Sequence, residues 1–290
     1  MDQKLKTYFE KKSVRVDRYL DRLLPPEGRY PSSIHKAMRY SVFAGGKRLR
    51  PILTLAAFEL CGGRGERAYP AACALEMMHT FSLIHDDLPC MDDDDFRRGK
   101  PTSHKVFGEA IAVLAGDALC IQAYEILGRY RDLPVVEVVS RALGTAGMLG
   151  GQVVDIESEG KEDIDAKTLR FIHVHKTEAL ITTSLLTGAI IAGAGRADTR
   201  RVTEYGRCVG LAFQIVDDIL DIVSTTESLG KDAGSDVANK KATYPRLFGL
   251  EKSRQEARRL ADKAVKIIRP FKEKGQLLSS LADFIVERVN

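Results

Sequence analysis

Residues 213–223 read FQIVDDILDIV. At about 100° per residue along a helix, Gln214, Asp217, Asp218 and Asp221 fall on one face, while Ile215, Val216, Ile219, Leu220 and Ile222 cover most of the rest. A helix this apolar belongs inside a bundle. Three carboxylates cannot be buried there alone, because desolvating a lone charge is prohibitive. A solvated or salt-bridged face would satisfy them. So would a divalent cation that prefers hard oxygen ligands, such as Mg2+.

Helical spacing recurs along most of the 290 residues. VDRYLDRLL (16–24) sets Val16, Tyr19, Leu20, Leu23 and Leu24 on one buried face, the i, i+3, i+4, i+7 pattern. PPEGRYP (25–31) interrupts it. Ser32 or Ser33 then caps a helix ending near Gly45–Gly46, and Pro51 opens the next, at its favoured first-turn position. Further helices are expected over 68–88, 105–130, 134–158, 166–193, 198–224, 240–267 and 275–288. Segments 111–121, 179–192 and 208–223 are apolar on most sides and are expected in the middle of the bundle. No period-two alternation is long enough for a sheet, and no solenoid period is present. The expectation is an all-α fold, one domain over 1–290 with about ten or more helices. A polar, Gly-containing segment, 224–243, has the length of a functional loop.

Composition narrows the function. Apolar residues make up 44% and charged residues 29%, with a net charge of +4. No basic run is interleaved with aromatics, so nucleic acid is not an expected partner. The five cysteines are scattered, odd in number and free of C-x-x-C spacing, which points to reduced thiols in a cytoplasmic chain. The N-terminus lacks the apolar core of a signal peptide. The longest uncharged run, 179–195, falls short of the ~20 apolar residues a bilayer span needs, so no membrane span is expected.

A second acidic cluster, DDLPCMDDDD (86–95), follows the apolar helix MMHTFSLIH. Pro89 disfavours helical geometry at Leu88 and removes a donor. Asp92 would point away from Asp86 on a straight helix, but a kink at Leu88–Met91 would return it. Asp93 to Asp95 are expected to be solvated or paired with Arg97 and Arg98. AGGKRLRP (44–51) places Lys47, Arg48 and Arg50 after a glycine pair, an arrangement suited to an anion but not a P-loop. Arg97, Arg98, Lys176, Lys231 and Lys241 complete a basic ring, and His79 lies near the helix face of Asp86. Carboxylates on two elements plus these cations describe a site for a phosphorylated substrate held through Mg2+. Covalent catalysis is not supported: there is no G-x-S-x-G elbow, no Cys with a partner His and no zincin histidine pair.

Taken in order, GGKRLRP (45–51), HTFSLIHDDLPCMDDDDFRRGKPTSH (79–104), HKT (175–177), FQIVDDILD (213–221) and GKDAGSD (230–236) resemble the trans-isoprenyl diphosphate synthases. That resemblance covers nearly the whole chain. It implies a helical bundle around a central apolar cavity, a homodimer, and about three Mg2+ ions once substrate is bound. It implies condensation of isopentenyl diphosphate with an allylic diphosphate by ionisation, addition and proton loss. Asp86, Asp92 and in support Asp87 would hold metal on one wall, and Asp217, with Asp218 and Asp221, on the other. Arg97, Lys176, Gln214, Lys231 and Lys241 match contacts of the allylic diphosphate or its metals; Lys47, Arg50, His79 and Arg98 match the isopentenyl diphosphate pocket. Oxygens near Lys176–Thr177, with Gln214, would stabilise the allylic cation.

The growing chain would run down the helix carrying Leu75, Met78 and Ser82. Phe81 matches a position where an aromatic ring stops elongation at fifteen carbons in that family, so farnesyl diphosphate is the expected product. The rest of the motif is also similar to geranylgeranyl diphosphate synthases. A class I terpene cyclase would carry an Asn/Ser/Glu-type second motif, whereas DDILD is all aspartate. A non-catalytic partner subunit would have lost one acidic cluster. The apolar stretch 111–127 suits a dimer-facing helix.

Overall fold

The structure, a computed structural model, describes residues 2–129, 133–161, 163–223 and 241–289. Helix α1 (Gln3–Leu23) starts at Asp2, whose carboxylate accepts from the Lys4 amide at 3.0 Å, satisfying a first-turn donor. Val16 and Leu20 of its apolar stripe are fully buried. Helices α2 (Ser32–Val42) and α3 (Leu49–Leu60) follow. Arg48 takes the cap position of α3, so Pro51 sits inside the first turn rather than opening the helix. α4 (Tyr69–Asp86) is buried on nearly every side and packs between α3 and α6 (Glu109–Arg129).

Phe96–Arg97 (β1) and Lys100–Pro101 (β2) form a two-residue antiparallel hairpin beyond α4, a local feature too short for the alternation sought in the sequence. The short helix α5 (Ser103–Phe107) leads into α6. The helix expected over 134–158 is two, α7 (Leu133–Leu143) and α8 (Met148–Ser158). The break holds Gly144 and Gly147, and glycine is a poor helix former. α9 (Ala166–Ile172) passes through a π-helical turn, His173–Glu178, into α10 (Ala179–Ala192). Then come α11 (Arg196–Val223), α12 (Tyr244–Phe248), α13 (Leu250–Ile268), a 3-10 turn (Arg269–Gly275) and α14 (Gln276–Glu287).

Among the described residues, two large apolar clusters and a small third one about Leu169, Ile172 and Ala242 hold the helices together. The first draws mainly on α1, α2, α4, α6 and α7, through residues such as Leu20, Leu75, Met78 and Leu119. The second draws on α3, α10, α11, α13 and α14, through Leu53, Ile181, Val209 and Ile285. α4 and α11, carrying the acidic motifs, therefore belong to different clusters. Each fully buried Leu contributes roughly 1.5–3 kcal/mol over its exposed state.

One expectation is corrected here. The stretch 111–121 does not lie in the middle of the bundle: Leu114 and Ile121 are 51% and 68% exposed. One face of α6, with Ala112, Ala115, Gly116, Leu119 and Ala123, is buried toward its neighbours, and the opposite face with Leu114 and Ile121 is left outward. α6, rather than the run 179–195, is also the helix among the described residues that reaches bilayer-spanning length and hydropathy.

Candidate active site

Asp86 ends α4, and the chain folds back as Pro89 requires. The Met91 and Asp93 amides donate to the Leu88 carbonyl at 2.9 and 3.1 Å, and the Asp92 amide donates to the Asp86 carbonyl at 2.9 Å. Asp92 thus returns beside Asp86, and both line a cavity of about 560 Å3. Asp87 turns the other way. It is buried, accepts from Arg97 Nε and does not line the cavity. Arg97 also donates to Asp94 at 2.8 Å, whereas Asp95 pairs with Lys105 at 2.6 Å rather than with an arginine.

Across the cavity, α11 presents Asp217 and Asp218. The protein itself takes both oxygens of Asp218. Gln214 Nε2 donates to Oδ1 at 2.8 Å, while the Tyr244 amide donates to Oδ2 at 2.8 Å and His173 Nε2 lies 3.2 Å from the same oxygen. Asp221 is buried and lines no part of the cavity. A third side comes from the π turn, a rare geometry in which one extra residue is fitted into a helical turn. Here it directs both Lys176 and Thr177 at the cavity. α8 lies so close to it that any side chain on Gly151 would overlap the Lys176 backbone. Lys176 Nζ donates to Asp155 of α8 at 2.6 Å, and Thr177 Oγ1 donates to Gln214 Oε1 at 2.5 Å.

The cationic end is built on the glycine pair. Gly45 and Gly46 have φ of +106° and +124°, and the Arg98 guanidinium lies where a Gly46 side chain would be while donating to the Gly45 carbonyl. Arg50, His79 and Arg98 line the cavity; Lys47 does not, being exposed within the fields of Arg288 and Asp217. Burial brings Arg50 down to about 10. Burial, then the fields of Arg50 and Arg98, push His79 well below the ordinary imidazole range, so it is a neutral hydrogen-bonding group among cations.

Their surroundings shift the acids in different directions. Burial pushes Asp86 up, offset in part by Lys176. Burial acts likewise on Asp92, but Lys176 and Lys241 outweigh it and hold this carboxyl below its ordinary value; Lys241 Nζ donates to Asp92 Oδ1 at 2.9 Å. Asp87 is driven up to about 7 by burial despite Arg97. Among the described residues no three acidic, His or Cys side chains converge on one point. Still, the donor set suits Mg2+, which keeps several waters and takes one or two carboxylates, with phosphate oxygens supplying the rest. Lys241 already marks Asp92 as a place for a cation.

Of the residues singled out from sequence, the cavity gathers Arg50, His79, Phe81, Ser82, Asp86, Asp92, Arg97, Arg98, Lys176, Thr177, Gln214, Asp217, Asp218 and Lys241. Leu75 and Met78 are fully buried in the core and do not reach it. Phe81 does, with the His85 ring edge-on at 5.5 Å and His85 Nε2 3.1 Å from the Val113 carbonyl of α6. Lys231 and positions 224–240 of the expected loop lie outside the described residues. Sequence reading missed Gln152 and Asp155 of α8, which face the cavity one helical turn apart; their spacing was the available signal. It also missed His173 and Tyr244, whose approach to Asp218 is purely tertiary.

Comparison with known proteins gives the family. The polyprenyl synthetase family model matches residues 31–282. A dimethylallyltranstransferase of Fischerella ambigua is 53% identical over 90% of this chain and 78% of its own. A geranylgeranyl diphosphate synthase of Cyanophora paradoxa is 48% identical over 99% of this chain and 97% of its own. The crystal structure of a Helicobacter pylori geranyltransferase, complexed with magnesium and isoprenyl diphosphate, superimposes with a TM-score of 0.84 at 31% identity, covering 99% and 97% of the two chains.

Proposed function

The chain belongs to the polyprenyl synthetase family, and from that premise we propose that it joins isopentenyl diphosphate head to tail to an allylic diphosphate, with farnesyl diphosphate as main product. It is a prenyltransferase. One observation carries the proposal: two carboxylate walls, Asp86 with Asp92 and Asp217, face one cavity whose other end holds Arg50, His79 and Arg98. Carboxylates for metal in one part and two arginines with a histidine in another describe two diphosphates bound in different ways.

In this reading Arg97, Lys176 and Lys241 bind the allylic diphosphate, and Lys47, Arg50, His79 and Arg98 bind isopentenyl diphosphate. Asp86, Asp92 and Asp217 would hold magnesium, with which the relative from Helicobacter pylori is complexed, and the ion would supply Lewis-acid neutralisation of the leaving group. Lys176 and Lys241 add fixed positive charge to the same oxygens. As the allylic C–O bond breaks, the Thr177 and Gln214 oxygens present lone pairs to the positive charge. The isopentenyl double bond adds to the allylic carbon, and the proton lost afterwards goes to the released diphosphate. Apolar walls such as Phe81, Leu88 and Met148 keep water from the cation.

Phe81 at the cavity wall favours a fifteen-carbon product. The Cyanophora paradoxa relative favours a second reading, a twenty-carbon product. We further read residues 1–290 as one cytoplasmic synthase domain, with a second copy of the chain covering the exposed face of α6 in a homodimer. The test is to incubate the pure protein with Mg2+, isopentenyl diphosphate and one allylic diphosphate, then chromatograph the products. Release of diphosphate only with both substrates, and a farnesyl product, is expected. Hydrocarbon from a single substrate would indicate a terpene cyclase, and silence a non-catalytic subunit.

A further inference from the structure

One arginine of GGKRLRP does not face the cavity. Arg48 has a left-handed backbone (φ 49°) and is 4% exposed, with its guanidinium directed backward into the protein. Its Nε donates to Asp17 of α1 at 2.8 Å, and its Nη1 donates to Glu76 of α4 at 3.1 Å. Glu76 is 1% exposed and lies one helical turn before His79. Its second oxygen, Oε2, has no hydrogen-bond partner among the described residues, and neither has Arg50 Nε. The field of Glu76 nevertheless reaches both Arg50 and Arg98, opposing the effect of burial on each.

A buried carboxylate amid guanidinium groups does one of two things. It captures the nearest as a closed pair, or it is held by one of them and leaves the others available. Arg48 enforces the second arrangement. Its reversed side chain separates its neighbours, since Lys47 is exposed and Arg50 lines the cavity.

We propose that the Arg48–Glu76 ion pair is a positioning unit for the isopentenyl diphosphate pocket: it ties the GGKRLRP turn to α4 and keeps Glu76 from closing on Arg50, so that Arg50 and Arg98 are presented to the incoming diphosphate. The inference rests on the functional reading above. Neither residue touches substrate. Removing Arg48 alone leaves a buried, unmatched negative charge beside the pocket, which recaptures Arg50 and repels diphosphate. Removing both charges takes that obstacle away.

The test compares full-length enzyme with its R48Q, E76Q and R48Q/E76Q variants in Mg2+, with each substrate varied in turn. R48Q is expected to raise the KM for isopentenyl diphosphate about tenfold, with the KM for the allylic diphosphate within about twofold. The double variant is expected to recover most of that loss, a non-additivity that isolates the pair. A KM that rises equally for both substrates, or a double variant no better than R48Q, overturns the proposal. Should R48Q not fold, Arg48→Lys replaces it, since an ammonium keeps the charge but cannot serve Asp17 and Glu76 together; no rise in the isopentenyl KM would then overturn it. Diphosphate release by wild-type enzyme without isopentenyl diphosphate would overturn the functional reading instead.

Discussion

At the end of α4 and on α11 the chain writes a pair of adjacent aspartates; Asp218 lines the cavity beside Asp217, whereas Asp87 turns away from Asp86. The first member, Asp86 or Asp217, faces the cavity. The second is claimed by the protein's own donors: Asp87 by Arg97, Asp218 by Gln214, His173 and the Tyr244 amide. The third acids part company. Asp92 comes back to the cavity through the Leu88–Met91 kink, whereas Asp221, on an unbroken helix, stays buried. Of the six aspartates expected to hold metal in the two motifs, four line the cavity: Asp86, Asp92, Asp217 and Asp218. Nearby donors hold Asp87 and Asp218 in place, and a break in the helix returns Asp92 to the cavity.

That division can be broken at several levels. Chelating divalent cations should abolish product formation, with Mg2+ restoring it and far-UV circular dichroism unchanged; activity in excess chelator would remove metal from both walls. Asp86→Asn, Asp92→Asn and Asp217→Asn should each lower kcat by roughly 10^2–10^3, the scale of losing one preorganised electrostatic contact. Asp218→Asn should act mainly on the fold, costing about 1–3 kcal/mol as buried donors lose their acceptor, measured as a lower Tm. If it lost more activity than Asp217→Asn with no change in Tm, the assignment of roles on α11 would be reversed. Phe81→Ala should cost least in turnover while lengthening the product seen by chromatography; an unchanged product would remove Phe81 as the floor.

Much of this was legible in the residues. Period and punctuation marked the helices, and Pro89 announced the kink that returns Asp92 to Asp86. What escaped was whatever depends on contact between distant segments. Asp155 reads as one acid on an ordinary amphipathic helix until Lys176 folds onto it. The partners of Asp218 sit on two other segments, His173 before it and Tyr244 after it. α6 was misplaced because apolarity on all sides says that a helix will be covered, but not by what. One of its faces, Leu119 included, took the intramolecular contact and left Leu114 and Ile121 on the other face outside.

The π turn at His173–Glu178 has a consequence for how this chain tolerates change. It acts as a phase shifter. The side-chain rotation that seats Leu169 and Ile172 on one side of the turn is out of step with the rotation that seats Leu180 and Ile181 on the other, and the turn absorbs the offset. Deleting a single residue there would relax the turn to an ordinary helix and restore a common phase. Either Lys176 would then swing off the cavity or α10 would present the wrong face to α3. Substitutions within the turn can be compensated locally, but a change of length cannot.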